Sequence, residues 1–149
     1  MIDPEKFVRE AGRRLNRIDT GNIVGNRTVY LEYKNIISLV EKSARAYELV
    51  GDDTKSKTYW NAVANMHLNI LIGESIRGTD STTSNEDKIQ NIISGVKAAK
   101  KSGNSDLVVT IDYTAKSILK THKGFLDNAD EKLKQEVNEA LSDIEKLKR

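Results

Sequence analysis

His67 and Glu74 are the pair of residues in this sequence best suited to acid–base or metal chemistry. A helix through both would place them on one side, seven residues apart, where they could supply two metal ligands or an acid–base couple. A catalytic metal site needs a third ligand, and no neighbouring residue marks one. We therefore interpret His67 as a core or interface histidine that is hydrogen-bonded to a neighbour.

The second histidine, His122, follows Lys116 by six residues near the predicted end of a helix. Small helical ribonucleases of the HEPN class carry Arg, roughly four to six residues and then His at such a place, and this segment is similar except that Lys116 replaces the Arg. Lysine lacks the planar bidentate fork that would hold a scissile phosphate. We expect His122 to be a cation near a helix C-terminus, where the helix dipole favours it.

Other catalytic motifs are missing from the sequence. The Gly21–Asn26 segment has two glycines but no following Lys-Ser/Thr, so it is no phosphate loop. The chain has no Cys, which excludes disulfides, thiol catalysis and thiolate metal sites. We predict a protein that is not an enzyme and carries no cofactor or metal.

A row of basic residues at helical steps near the N-terminus is the one electrostatic feature with a direction. Lysines of two later predicted helices would extend it if the fold presented them together. Such a surface could follow the backbone of RNA or DNA, without interleaved aromatics for base stacking; the alternative is a solvated helix face. The residues predicted to contact nucleic acid are Lys6, Arg9, Arg13, Arg14, Arg17, Lys97, Lys100 and Lys101, with Lys116, Lys120 and Lys123 as possible extensions.

Hydrophobic periodicity and capping residues predict the helices that must position these side chains. Asp3-Pro4 is a helix start, and that helix is predicted to run to about Ile18. Residues 21–31 could form a β-hairpin, but a lone hairpin would have no sheet to join, and we predict a loop. Helices at about 28–50 and 54–77 then form an antiparallel hairpin that turns at Gly51.

The second half of the chain also reads as helical. Ser84 and Asp87 resemble a capping box, and Gly103 ends the helix that follows. Residues 107–113 have strand propensity, yet apolar residues keep helical spacing across them. A last helix is predicted to be capped by Asn128, and it either closes the bundle or extends as an arm. Its predicted apolar seam is Leu133, Val137, Ala140, Ile144 and Leu147. The prediction is one all-α domain over residues 1–149, either a five- to six-helix bundle or a short array of antiparallel helical hairpins.

The hairpin around Gly51 resembles a tetratricopeptide repeat, a helix–turn–helix unit that stacks into solenoids. The matching residues are Ala44, Tyr47, Gly51-Asp52, Ser56 and Trp60. Ser43 and Val63 depart from the pattern, and the closing Pro is missing. A second hairpin, 89–119, does not keep the period. The resemblance thus covers roughly one repeat and implies a helical scaffold.

Bulk composition sets wide limits on location and partners. The 24 basic and 22 acidic residues leave a net charge of +2, so the total charge demands no polyanionic partner. No apolar run is long enough to span a membrane, and the N-terminus lacks the order of a signal peptide. We expect a protein of the cytoplasm with no membrane partner.

The leading hypothesis is a non-enzymatic scaffold or adaptor that binds another protein or associates with itself. The predicted anchors are large aromatics, which dominate interface energetics when the core does not consume them. They are Tyr30, Tyr47, Tyr59 and Trp60. Of these, we expect Trp60 to be packed between helices rather than exposed. The alternative is a small helical subunit of a nucleoprotein complex, similar in size and charge to those of CRISPR effectors, that holds RNA or DNA through the first helix.

Overall fold

Six α-helices make up most of the computed structural model, which describes residues 3–121 and 130–147. They are α1 (Pro4–Leu15), α2 (Arg27–Leu49), α3 (Asp53–Arg77), α4 (Asn85–Ser102), α5 (Ser105–Thr121) and α6 (Glu131–Leu147). Short 3-10 turns occupy Thr20–Asn22 and Gly78–Asp80. No strand occurs in these two described stretches. The prediction of an all-α protein is therefore confirmed.

The N-terminal third begins as predicted but ends its first helix early. The Asp3 carboxylate accepts from the Glu5 backbone N–H and caps α1. The helix ends at Leu15 rather than near Ile18, and a 3-10 turn follows. Asn26 accepts from two backbone N–H groups at the start of α2. The predicted loop is confirmed over residues 21–26, and the segment that follows is helical.

The α2–α3 hairpin turns where the sequence predicted. Gly51 has φ +78°, which favours glycine, and the Asp52 carboxylate accepts from the Lys55 N–H to cap α3. The Ser56 hydroxyl donates to the Ala44 carbonyl across the pair, at 3.2 Å. The small residues of the repeat-like motif thus lie in the contact between the helices. Membership of the tetratricopeptide family stays a prediction.

The second half closes the bundle around α4. Ser84 and Asp87 form the predicted capping box, and Gly103 ends α4 in the left-handed conformation. Residues 107–113 lie within α5, because their inward positions pack as a helical stripe. The buried residues of that stripe are Val108, Ile111, Ala115 and Ile118.

The last helix packs on α4 and α5 rather than extending as an arm. Val137 and Ala140 of its predicted seam are buried. Asp130 accepts from the Lys132 N–H at its start, whereas the predicted cap, Asn128, lies outside the described residues, as do the side chains of Ile144 and Leu147.

α3 lies at the centre of the fold. It packs against α2, α4 and α5, while α1 packs on α2. The connection between Arg77 and Asn85 turns the chain back, so that α4 lies alongside α3 and Gly95 of α4 lies close to His67. Among the helices that the structure describes, none has the length and apolar composition needed to cross a membrane.

The capping box of α4 yields a stability prediction. We expect Ser84→Ala to lower the free energy of unfolding by about 1 kcal/mol, because the Asp87 N–H loses its side-chain acceptor. Gln90→Ala, on the exposed face of the same helix, should change it by less than about 0.5 kcal/mol. Urea denaturation checks both values. Equal effects of the two variants would contradict the role assigned to the cap.

Candidate functional site

His67 lies in a buried polar network where α2, α3 and α4 meet. Its Nδ1 is 3.1 Å from Oδ1 of Asn91, and the Lys34 ammonium donates to the same oxygen at 3.3 Å. The Asn91 amide donates to the Tyr30 hydroxyl at 2.9 Å and to the Asp87 carbonyl at 2.8 Å. Burial, with Lys34 nearby, lowers the pKa of His67 to about 4. His67 is therefore a neutral core histidine at neutral pH.

Glu74 is buried two helical turns further along α3 and belongs to a different group of side chains. Neither carboxylate oxygen has a hydrogen-bond partner among the described residues, and Glu74 is 0% exposed. The nearby Lys88 ammonium donates instead to the carbonyl and hydroxyl oxygens of Thr83, at 3.0 and 3.2 Å. Burial raises the pKa of Glu74 to about 7, against smaller opposing effects of Thr83 and Lys88.

This geometry separates the two residues that sequence analysis considered as a pair. Seven residues along a helix correspond to about 10 Å, too far for one metal ion or a shared proton. No cluster of three or more metal-binding side chains occurs within residues 3–121 and 130–147. The chemistry available to Glu74 is to take up or release a proton near neutral pH inside the core.

The two buried groups give stability opposite dependences on pH. Glu74 has a higher pKa folded than unfolded, about 7 against 4.5, so its contribution is present below pH 4.5 and is lost as pH rises to 7. His67 has a lower pKa folded than unfolded, about 4 against 6.5, so its contribution is present above pH 6.5 and is lost as pH falls to 4. The two effects oppose each other between pH 4.5 and 6.5.

We expect Glu74→Gln to gain stability relative to the wild type as pH rises from 4.5 to 7.5, because glutamine has no proton to lose. The gain should reach about 3 kcal/mol, the energy that corresponds to the pKa shift. Urea denaturation across this pH range measures it. Glu86→Gln, an exposed carboxylate on α4, is the control and should leave the difference nearly constant. Parallel curves for Glu74→Gln and the wild type would contradict the prediction.

Three of the four aromatic residues predicted to anchor a partner are buried in the core. Tyr30, Tyr47 and Trp60 are buried, and only Tyr59 is partly exposed. The indole N–H of Trp60 donates to the Glu48 carboxylate, and Lys101 lies over the ring, 4.5 Å from its centroid. Helix packing buries these three rings, which corrects the choice of Tyr30 and Tyr47 as anchors and agrees with the expectation that Trp60 packs between helices.

Tyr47 and Tyr59 hold α1 against the central hairpin. Their rings stack at 5.6 Å, and both hydroxyls donate to the Glu5 carboxylate of α1. Both hydrogen bonds lower the pKa of Glu5, and the one from Tyr47 has the larger effect. Tyr59 therefore serves a contact between helices, and its partial exposure offers little surface to a partner.

Lys6, Arg9 and Arg13 lie on the outer side of α1 as predicted, whereas Arg17 lies beyond the end of that helix. Acidic residues are interleaved with this row. Lys6, Arg9 and Arg13 line one shallow recess. Arg9 pairs with Asp3 at 2.9 Å. Arg13 pairs with Glu10. Arg14 is also paired, with Glu10 at 3.1 Å and Glu32 at 3.8 Å, whereas Lys6 and Arg17 have no ion pair among the described residues.

The lysines of the second half do not extend this row. Lys97, Lys100 and Lys101 lie on α4, which packs mainly on α3, α5 and α6, whereas α1 packs on α2. Lys100 pairs with Asp143 at 2.9 Å, and Lys101 with Glu48 at 3.4 Å. The expected joint surface is corrected in this respect, because α4 does not lie beside α1 and because Lys100 and Lys101 bridge helices instead.

The Lys116–His122 motif is described only in part. Lys116 pairs with Asp112 at 3.2 Å and with Glu145 of α6 at 2.6 Å, so it joins α5 to α6. The hydrogen bonds to these two carboxylates raise the pKa of Lys116, and the one to Glu145 has the larger effect. His122 and Lys123 lie outside the described residues.

A groove that sequence analysis missed runs beside the last turns of α3. It has a volume of about 550 Å³, and Ile72 and Ile76 stand at its side with 41% and 79% of their surface exposed. The residues that line it are Leu15, Thr20, Gly21, Ile23, Val24, Tyr33, Asn69, Ile72, Gly73, Ile76 and Arg77. The signal in the sequence was that α3 has apolar residues on nearly all sides, because such a helix carries more apolar surface than its neighbours can cover.

Hydrogen bonds hold the segment that forms the far wall of this groove. The Thr82 N–H and hydroxyl both donate to the Val24 carbonyl, at 2.8 and 3.0 Å. Arg77 donates to the Asn22 side chain at 2.9 Å. On Gly73, a Cβ would lie 3.0 Å from a methyl group of Val24, so glycine lets this segment approach α3 closely.

Comparison with protein-family models, with curated proteins and with solved structures finds no match to this chain. The function of the chain is therefore inferred from its own surfaces.

Proposed function

We propose that this chain is a non-enzymatic helical module that binds another protein in the groove beside the end of α3. The observation that carries the proposal is the pair Ile72 and Ile76, exposed one helical turn apart at the side of a groove with a mixed polar and apolar lining. Single exposed apolar residues are ordinary on a protein surface. An exposed apolar pair at the side of a concave surface, with polar groups around it, is typical of an interaction site.

The groove supports binding because its walls are already in place. The Thr82–Val24 and Arg77–Asn22 hydrogen bonds tie residues 22–24 to the elements around the end of α3. A partner therefore does not have to order this loop at its own entropic cost. Preformed recognition surfaces of this kind change little on binding.

The shape and charge of the groove favour an amphipathic helix as the bound element. A helix with apolar residues three and four positions apart can lay them beside Ile72 and Ile76. Arg77 is the charged residue among the described lining residues, and its guanidinium has donors beyond the one used by Asn22. A carboxylate near one end of the bound helix would meet it.

Selection of helical peptides tests this proposal directly on the groove. A displayed library of amphipathic helices with a randomised apolar face is selected on the wild-type chain. We expect enriched peptides to lose at least tenfold in affinity when Ile76→Glu places a charge in the apolar contact, as measured by fluorescence anisotropy.

Leu49→Glu is the matched control, because Leu49 is 88% exposed at the other end of the α2–α3 hairpin. The start of α3, beside Leu49, is about 35 Å from Ile76 along the axis of that helix. This variant should bind the selected peptides as the wild type does. Failure to enrich any peptide, or equal binding by Ile76→Glu, would overturn the proposal.

A second candidate function is contact with a nucleic-acid backbone through α1. The observation in its favour is that Lys6, Arg9 and Arg13 share one solvent-facing recess. The acidic residues Asp3 and Glu10, which pair with Arg9 and Arg13, weaken the field that would attract phosphates. We therefore rank this function below protein binding.

Salt dependence distinguishes the second candidate. If Arg9, Arg13 and Arg17 contact three phosphates, affinity for a DNA duplex of about 20 base pairs should fall about 40-fold between 50 and 200 mM salt. The triple alanine variant should lose most of the binding in anisotropy titrations, while Lys57→Ala with Lys132→Ala should not. Absence of binding at 50 mM salt would exclude this function.

A further inference from the structure

The outer face of α5 carries three exposed residues of different character at equal spacing. Asp106, Tyr113 and Lys120 follow one another at intervals of seven residues, which places them on one line along the helix. Tyr113 is 76% exposed, and Val109, one turn before it, is 48% exposed. The opposite face of α5 packs into the core.

Both charged residues of this line are exposed. Asp106 and Lys120 take part in none of the ion pairs of the described residues, although the neighbouring Lys116 bridges to α6. Asp106 and Lys120 are about 21 Å apart along the helix, so they cannot reach each other within one chain.

We propose that α5 pairs with α5 of a second copy of this chain, antiparallel, about a twofold axis at Tyr113. Asp106 then faces Lys120 of the second copy, and the same contact recurs on the other side of the axis. Tyr113 faces its own equivalent, and Val109 lies opposite Ser117. A twofold interface requires this kind of self-complementary surface.

Charge placement favours a second copy over an unrelated partner. The opposite charges stand at equal distances from Tyr113, so reversal of the helix direction exchanges them and makes two attractive pairs. Parallel pairing would place like charges opposite each other and would be repelled. An unrelated partner would place no symmetry requirement on the face.

The interface is small, because it consists of one helix of 17 residues from each copy. It falls short of the area that standard stable complexes bury. We expect a dimer with a micromolar or weaker dissociation constant that weakens further at high salt.

Chemical cross-linking gives a direct test on the unmodified protein. A carbodiimide, which joins a carboxylate to an amine in contact, should link Asp106 to Lys120, and mass spectrometry of the cross-linked dimer identifies the peptide pair. Because these residues cannot meet within one chain, such a link shows two copies in the proposed register. Its absence from a dimer seen by sedimentation would overturn the register.

Charge exchange tests the energetics by sedimentation equilibrium. Asp106→Lys should weaken the dimer at least tenfold, since it places lysines opposite each other, and Asp106→Lys with Lys120→Asp should restore it to within about threefold. Glu86→Lys is the matched control, an exposed acidic residue in the first turn of α4. It should leave dimerisation unchanged.

Two further variants make the outcome decisive. Tyr113→Ser keeps the charges and should also weaken the dimer, which covers the case in which Asp106→Lys fails to fold. Ile76→Glu lies in the groove of the proposed function and should leave the dimer unchanged, so the two proposals can fail separately. A wild-type chain that stays monomeric at about 1 mM and low salt, or a dimer insensitive to Tyr113→Ser, would overturn this inference.

Discussion

Burial of α3 is the constraint on which the rest of the structure depends. This helix is apolar on nearly every side, so no single neighbour can cover it. α2, α4 and α5 pack against it, and the segment that contains Val24 covers part of its last turns. The cover is incomplete on one side of these turns, where Ile72 and Ile76 stay exposed. The groove is thus a direct consequence of how much apolar surface α3 carries.

The same burial determines what becomes of the polar residues on α3. His67 hydrogen-bonds to Asn91 and stays neutral, which lowers the free-energy cost of burying its ring. Glu74 finds no hydrogen-bond partner in the described part of the chain and keeps its proton to a higher pH instead. The burial of His67 beside a hydrogen-bonded neighbour agrees with the interpretation made from the sequence, and the two residues are separate consequences of packing.

Periodicity and capping residues were sufficient to predict most of the helices. The capping box at Ser84 and the glycine turns at Gly51 and Gly103 lie where predicted, because each depends on residues within a few positions of itself. The end of α1 was misplaced by three residues, since Ile18 continues the apolar spacing and still packs against the core from outside the helix. The groove was missed because its lining comes from separate segments.

The sequence by itself determined the all-α class, the helix order and the caps, because these follow from interactions between near neighbours in the chain. Only the tertiary structure decided which faces stay exposed. Helical spacing places Trp60 and Ile76 each on a face of α3. It does not predict that Lys101 of α4 lies over the Trp60 ring, or that Ile76 stays mostly exposed. The physical reason is that burial depends on residues far apart in sequence, whose approach no local pattern records.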